Sequence, residues 1–158
     1  MNYLERAEID IYIAKLLLSP EGNPTNDEGI YDAAAYHVQQ GVEKALKYVL
    51  HDVTEISDET REFRTHNLDD LIDIVESKTA YIIPDSVKEM AEEITSWEAN
   101  SRYGSSIVTT RAQIEEAINL YENMKENIKQ WEKDLSEEKE EPDIPDGEEP
   151  DDLDEINL

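Results

Sequence analysis

The sequence predicts an all-α protein: a bundle of about five helices followed by a disordered acidic tail. Three observations lead to this prediction. Apolar residues recur at the helical period in five separate segments. Proline, glycine and short polar residues interrupt the pattern between those segments. No stretch alternates apolar and polar residues as a half-buried strand would, so we expect an up-and-down helical core with loops longer than the minimum.

The first two helices are predicted over residues 2–19 and 31–51. The apolar stripe of the first helix consists of Tyr3, Leu4, Ala7, Ile11, Ala14 and Leu18. The stripe of the second consists of Ala34, Val38, Val42, Ala45, Leu46 and Val49. Pro20 and Pro24 end the first helix, and a polar connection over residues 52–65 follows the second.

The same helical period of apolar residues predicts three further helices of different lengths. The third is predicted to begin after an N-cap at Thr65 or Asn67, and its apolar stripe consists of Leu68, Leu71, Ile72 and Val75. Residues 78–84 then form an extended link without a partner strand. The fourth helix begins at Pro84 and ends at Gly104, and its apolar stripe consists of Val87, Met90, Ala91, Ile94 and Trp97. The fifth runs from about residue 109 into the 130s, with an apolar stripe of Ile114, Ala117, Ile118, Tyr121, Met124, Ile128 and Trp131.

The distribution of charge divides the chain into two parts. The sequence has 14 Lys and Arg against 40 Asp and Glu, a formal net charge of −26. Residues 137–158 contain 12 of the acids, one base and no aromatic residue, so this segment cannot bury enough apolar surface to fold. We therefore assign residues 1–136 to the helical domain and 137–158 to a disordered tail. The tail is either a solubilising extension, which we favour, or an acidic mimic that occupies a basic partner surface.

The composition also excludes several classes of function. A net charge of −26 argues against broad nucleic-acid binding and against attachment to an anionic membrane surface. The sequence has no cysteine and only three histidines, so we expect no metal site and no cofactor. The apolar run over residues 11–18 is interrupted by Lys15 and is too short to span a bilayer. A cytoplasmic protein is therefore expected.

Four local patterns occur in an order that resembles one known family. They are Tyr-His-Val-Gln-Gln-Gly-Val-Glu-Lys-Ala-Leu-Lys at 36–47, Thr-His-Asn-Leu at 65–68, Ser-Arg-Tyr at 101–103, and the long closing helix. With these patterns, residues 2–132 resemble the HEPN domain family, named for higher eukaryote and prokaryote nucleotide binding. The resemblance implies a helical bundle that commonly forms homodimers. It also implies a minimal nucleotidyltransferase partner, in a toxin–antitoxin or stress-response pair.

A large subset of that family are metal-independent ribonucleases, and the resemblance implies where their catalytic residues would lie. Their signature is an Arg followed by a His after four to six residues, usually on the fourth helix. Arg102 matches the position of the Arg, but no His follows it at that spacing. Arg102 and His66 therefore remain only candidates for catalysis, and a non-catalytic member is the better interpretation.

Five residues are candidates for nucleotide binding: His37, Gln40, Lys44, Arg102 and Tyr103. The first three lie on one side of the second helix, in a row that continues to Lys47 with Glu43 beside it. If the row does not bind a nucleotide, it is an ordinary solvated face or the polar part of a dimer interface. Arg102 otherwise caps carbonyls or pairs with a carboxylate, and Tyr103 otherwise packs against the bundle.

The sequence thus favours a non-catalytic or weakly nucleotide-binding module that acts with a nucleotidyltransferase-type partner as a homodimer. One alternative is a degenerate ribonuclease toxin that uses Arg102 with His66 or His37. Another is a protein-interaction module that binds through its acidic tail. The first two hypotheses differ in whether Arg102 and a histidine line the same cleft.

Overall fold

The computed structural model describes residues 1–103 and 109–140, with side chains for 1–98 and 109–139. It contains five α-helices, α1 (Tyr3–Leu18), α2 (Glu28–Tyr48), α3 (Leu68–Lys78), α4 (Asp85–Tyr103) and α5 (Arg111–Glu140). No strand occurs in these ranges, so the predicted all-α fold class is confirmed. The predicted helix end at Gly104 and the predicted tail from residue 141 onward lie outside the described residues.

The first two helices begin at side-chain caps. Asn2 Oδ1 accepts a hydrogen bond from the Glu5 N–H at 2.8 Å, and the Glu5 carboxylate accepts one from the Asn2 N–H at 2.9 Å. This reciprocal pair is a capping box. Asp27 accepts from the Gly29 N–H at 2.9 Å, which starts α2 three residues before the predicted position at 31. One π-helical turn, Val49–Val53, follows α2.

The predicted apolar stripes meet in one core, with α2 at its centre. This helix contacts α1, α3, α4 and α5, so all six residues of its predicted stripe are completely buried. The predicted stripes of the other helices are buried as well, apart from members that lie at the edge of the core. Those partly buried members are Tyr3, Met90 and Trp131.

An extended link closes the bundle between α3 and α4. Tyr81 and Ile83 are buried while Ile82 between them is exposed, the alternation expected of an extended chain. The Tyr81 hydroxyl donates a hydrogen bond to Asn127 Oδ1 on α5 at 2.7 Å, and burial raises the pKa of Tyr81. The predicted extended link is therefore confirmed, and its aromatic side chain attaches it to α5.

The long helix α5 is also tied to α1 by polar contacts at the edge of the core. The Tyr121 hydroxyl and Lys125 Nζ donate to the two oxygens of Glu8 at 2.7 and 2.9 Å. The pKa of Tyr121 is raised, mainly by burial and in second place by the hydrogen bond to Glu8. The helix continues to Glu140, beyond the domain boundary predicted at residue 136.

Candidate functional site

The polar side of α2 is organised around a buried carboxylate from α1. Asp10 is only 7% exposed, and its two oxygens take different partners on α2. His37 Nδ1 lies 2.8 Å from Asp10 Oδ1, and Lys44 Nζ donates to Asp10 Oδ2 at 2.6 Å. His37 and Lys44 both remain partly exposed. These three residues, the Asp10 cluster, therefore form a neutralised group that solvent and small ligands can reach.

A second buried carboxylate, Glu43, lies beside this cluster on α2. Lys47 Nζ donates to Glu43 Oε2 at 2.9 Å, and Gln39 Nε2 donates to Glu43 Oε1 at 3.1 Å. His66 Nδ1 lies 3.1 Å from the same Oε1. We call Gln39, Glu43, Lys47 and His66 the Glu43 cluster. Its first three members are buried, so the Glu43 charge depends on these partners for compensation.

The spacing of α2 explains why three members of the Glu43 cluster meet. Gln39, Glu43 and Lys47 are separated by four residues each, which places them one above another on a helix. Lys47 Nζ also donates to the Phe63 carbonyl at 2.8 Å. That carbonyl belongs to a 3₁₀ turn, Arg61–Arg64, so the loop before α3 packs over the Lys47 end of the cluster.

His66 reaches the cluster from the start of α3. Asn67 is the N-cap of that helix, because its Oδ1 accepts from the Asp70 N–H at 3.1 Å. The backbone N–H of Leu68, the residue after Asn67, donates to Thr95 Oγ1 on α4 at 2.9 Å. His66 is therefore held where α2, α3 and α4 meet, and about half of its side chain is exposed. Of the two N-caps that the sequence left open, Thr65 and Asn67, the structure shows Asn67.

A comparison with known protein families identifies the family of this chain. A family model described as the HEPN domain matches residues 1–131, from α1 through most of α5. The chain belongs to the HEPN domain family. The family resemblance inferred from the sequence is thus confirmed. Neither a curated protein nor a solved structure matched the chain.

Three of the predicted nucleotide-binding residues of this HEPN domain lie together. His37 and Lys44 share the Asp10 carboxylate, and Gln40 donates from Nε2 to Gln39 Oε1 at 2.7 Å. Their role in binding stays a prediction. Arg102 and Tyr103 belong to the last turn of α4, and their side chains lie outside the described residues.

Lys47 does not belong to the exposed row in which the sequence placed it. It is buried, because it pairs with Glu43 and donates to the Phe63 carbonyl. Sequence reasoning also missed Asp10 and Gln39. The available signal was the position of Asp10, which follows Ala7 by three residues and precedes Ala14 by four and therefore lies on the side of the predicted apolar stripe.

A cavity of about 450 Å³ lies elsewhere in the HEPN domain, between the end of α1 and the start of α5. None of the predicted site residues whose side chains the structure describes lines it. Its two cations already have carboxylate partners: Lys15 Nζ lies 2.9 Å from Glu122, and Arg111 Nε lies 3.2 Å from Glu115. This cavity is therefore a weaker candidate for a phosphate-bearing ligand than the Asp10 cluster.

The part of the HEPN domain that the structure describes has no group of three His, Asp or Glu side chains that could hold a metal ion. None of the helices in that part is long and apolar enough to cross a membrane.

Proposed function

We propose that this HEPN domain is a non-catalytic module that binds a nucleotide weakly and acts with a nucleotidyltransferase-type partner as a homodimer. The pairing with such a partner, in a toxin–antitoxin or stress-response system, rests on the family membership. The observation that carries the proposal of weak binding is the sharing of one carboxylate by His37 and Lys44.

The Asp10 cluster supports weak binding for an electrostatic reason. His37 and Lys44 are partly exposed, so they can contact a phosphate and a base, and Gln40 offers an amide on the same side of α2. A phosphate must nevertheless compete with Asp10 for both groups, against a chain with a net charge of −26. We expect a dissociation constant on the order of 1 mM, or about −4 kcal/mol.

The pairing of the cations beside the histidines supports binding without turnover. RNA cleavage without a metal needs a base for the 2′-hydroxyl and a cation directed at the phosphate. Each of the three histidines of the chain has its Nδ1 atom close to an oxygen. The distance is 2.8 Å from His37 to Asp10, 2.8 Å from His51 to the Ile56 carbonyl, and 3.1 Å from His66 to Glu43. The cations beside His37 and His66, Lys44 and Lys47, are paired with the same carboxylates.

Titration with AMP and ATP, followed by amide chemical shifts, tests the proposal. Lys44→Met should weaken binding about tenfold, because it removes the cation for the phosphate. Asp10→Asn should strengthen binding by a similar factor, because it releases His37 and Lys44 from a competing negative charge. Lys88→Met is the matched control, since Lys88 forms an exposed ion pair with Glu76 on α3. Unchanged shifts at millimolar nucleotide would contradict the proposal.

The ribonuclease alternative is favoured by one observation, the partly exposed ring of His66 with Nδ1 held by Glu43. A carboxylate in that position orients an imidazole and leaves its Nε2 available to a substrate. We nevertheless expect no RNA cleavage above background at neutral pH and moderate salt, since the acidic chain repels the substrate. Robust cleavage that both Arg102→Ala and His66→Ala abolish would establish the alternative instead.

A further inference from the structure

Three of the four arginines whose side chains the structure describes lie around one pair of aromatic rings. The guanidinium of Arg6 on α1 lies 5.1 Å from the centre of the Tyr3 ring. The centre of that ring is 5.9 Å from the centre of the Phe63 ring. Phe63 belongs to the 3₁₀ turn that begins at Arg61 and ends at Arg64, and side chains three residues apart lie on the same side of such a turn. We call Arg6, Arg61 and Arg64 the arginine face.

The three arginines of this face are exposed and have no ion-pair partner within residues 1–98 and 109–139. Two acids beside the Tyr3 ring already accept other hydrogen bonds, Asp52 from the Tyr3 N–H at 3.1 Å and Asp58 from the Tyr3 hydroxyl at 3.3 Å. Glu62, within the 3₁₀ turn, pairs with Lys78. The chain has 40 acids against 14 bases, so three arginines without a carboxylate are unexpected. The arginine face is therefore open to an anionic group from outside the described residues.

The packing of α5 against α1 directs the end of the described chain toward the same end of the bundle. Glu122 pairs with Lys15 near the end of α1, whereas Lys129 lines one cavity with Asn2 at its start. The two helices are therefore antiparallel, and α5 continues beyond Lys129 for about 16 Å before it ends at residue 140. The described chain thus ends on the side of the bundle where the arginine face lies. The 18 residues that follow, 141–158, span up to about 60 Å when fully extended.

We propose that the acidic segment 141–158 docks on the arginine face of its own chain. This segment contains nine Asp and Glu residues and no Lys or Arg, so its charge is complementary to that of the face. A guanidinium binds a carboxylate through two parallel hydrogen bonds, which suits arginine to such a contact. Attachment to the same chain gives the segment an effective concentration on the order of 1 mM, so that a weak contact is sufficient. The docked segment keeps other polyanions off the face.

A spin label on Gly147→Cys in the full chain tests the contact, because the sequence has no cysteine of its own. At low salt the label should broaden the amide signals of residues 5–7 and 61–66. It should leave the signals of residues 111–118 sharp, since the Arg111 side chain donates to the Leu18 carbonyl at the opposite end of α1. Salt at about 1 M should remove most of the broadening, because the screening length falls to about 3 Å.

Two double variants separate the arginine face from net charge. Arg61→Gln with Arg64→Gln should remove most of the broadening at low salt, because both turn arginines lose their charge. The matched control, Lys15→Gln with Lys88→Gln, removes the same two charges from exposed lysines that pair with carboxylates elsewhere. This control should leave the broadening in place. Circular dichroism verifies that each variant is folded.

A mixed sample distinguishes the chain's own segment from that of a second copy. A spin-labelled chain is combined with an isotope-labelled chain that lacks the cysteine, and we expect no broadening in this mixture. Absent broadening in the labelled full chain at low salt, broadening that the arginine variant leaves intact, or equal broadening in the mixture would overturn the inference. The arginine face shares no residue with the Asp10 cluster, so this measurement and the nucleotide titration can fail independently.

Discussion

Replacement of Glu43 by alanine is expected to lower the free energy of unfolding by about 3–5 kcal/mol. Glu43 is the buried partner of Lys47, with Nζ and Oε2 2.9 Å apart, and Gln39 and His66 bind its other oxygen. Truncation leaves the buried ammonium of Lys47 without its counter-charge and leaves the Gln39 amide with only the more distant His66 carbonyl, 3.5 Å away, as an acceptor. Urea unfolding followed by helical circular dichroism measures the loss.

Two controls separate the effect of the charge from that of the lost volume. The double variant Glu43→Leu with Lys47→Met removes both charges and should recover most of the loss, since well-packed apolar residues replace buried ion pairs at little cost. Glu115→Ala breaks the exposed pair with Arg111 on α5 and should change stability by less than about 1 kcal/mol. Equal effects of Glu43→Ala and Glu115→Ala would show that water reaches Lys47 in the folded protein.

Replacement of Gly41 by valine is expected to destabilise the protein by about 2–3 kcal/mol. A Cβ atom at Gly41 would lie 2.7 Å from Ile11 Cδ1 and 2.9 Å from Ile11 Cγ1. Ile11 is fully buried, so it cannot turn away without displacing its neighbours in the core. The glycine is thus needed because the backbone of α2 lies directly against Ile11 of α1 at this position, and the variant should also lower the melting temperature.

The matched control for this substitution is Gly29→Val at the first turn of α2. A Cβ atom there would meet only the Asp27 side chain, at 3.3 Å, so the change in stability should stay within about 0.5 kcal/mol. Adding Ile11→Val to Gly41→Val should restore part of the lost stability, because it removes the Cδ1 atom from the collision. A stability loss that is the same at positions 41 and 29 would show that the contact with Ile11 is not responsible, because valine has a higher helix propensity than glycine and propensity alone predicts no loss.

The helices could be predicted from the sequence because each carries its own local pattern. The start of α3 is an example. Its cap Asn67 directly precedes Leu68, the first residue of the apolar stripe that continues to Val75, so no distant contact is needed to recognise it. The π-helical turn Val49–Val53 and the early start of α2 at Glu28 were not predicted. Both depend on hydrogen bonds at helix ends, which the periodicity of apolar residues does not report.

The candidate site could be predicted only in part, and for a similar reason. The row of His37, Gln40 and Lys44 was visible because all three lie on one helix. Their common acceptor, Asp10, belongs to another helix 27 residues before His37, so its role depends on how α1 packs against α2.

The sequence by itself determined the all-α class, the positions of five helices, the apolar stripe of each and the membership of the HEPN domain family, since these follow from local patterns and their order. Only the tertiary structure decided that Lys47 is buried on Glu43, that His66 joins them from the loop before α3, and that Ile9, Tyr12 and Leu16 on α1 are exposed. The physical reason is that neighbours far away in sequence decide whether a charge is buried and whether an apolar stripe is covered. The helical period itself is the same on the buried and the exposed side of a helix, so it does not tell them apart.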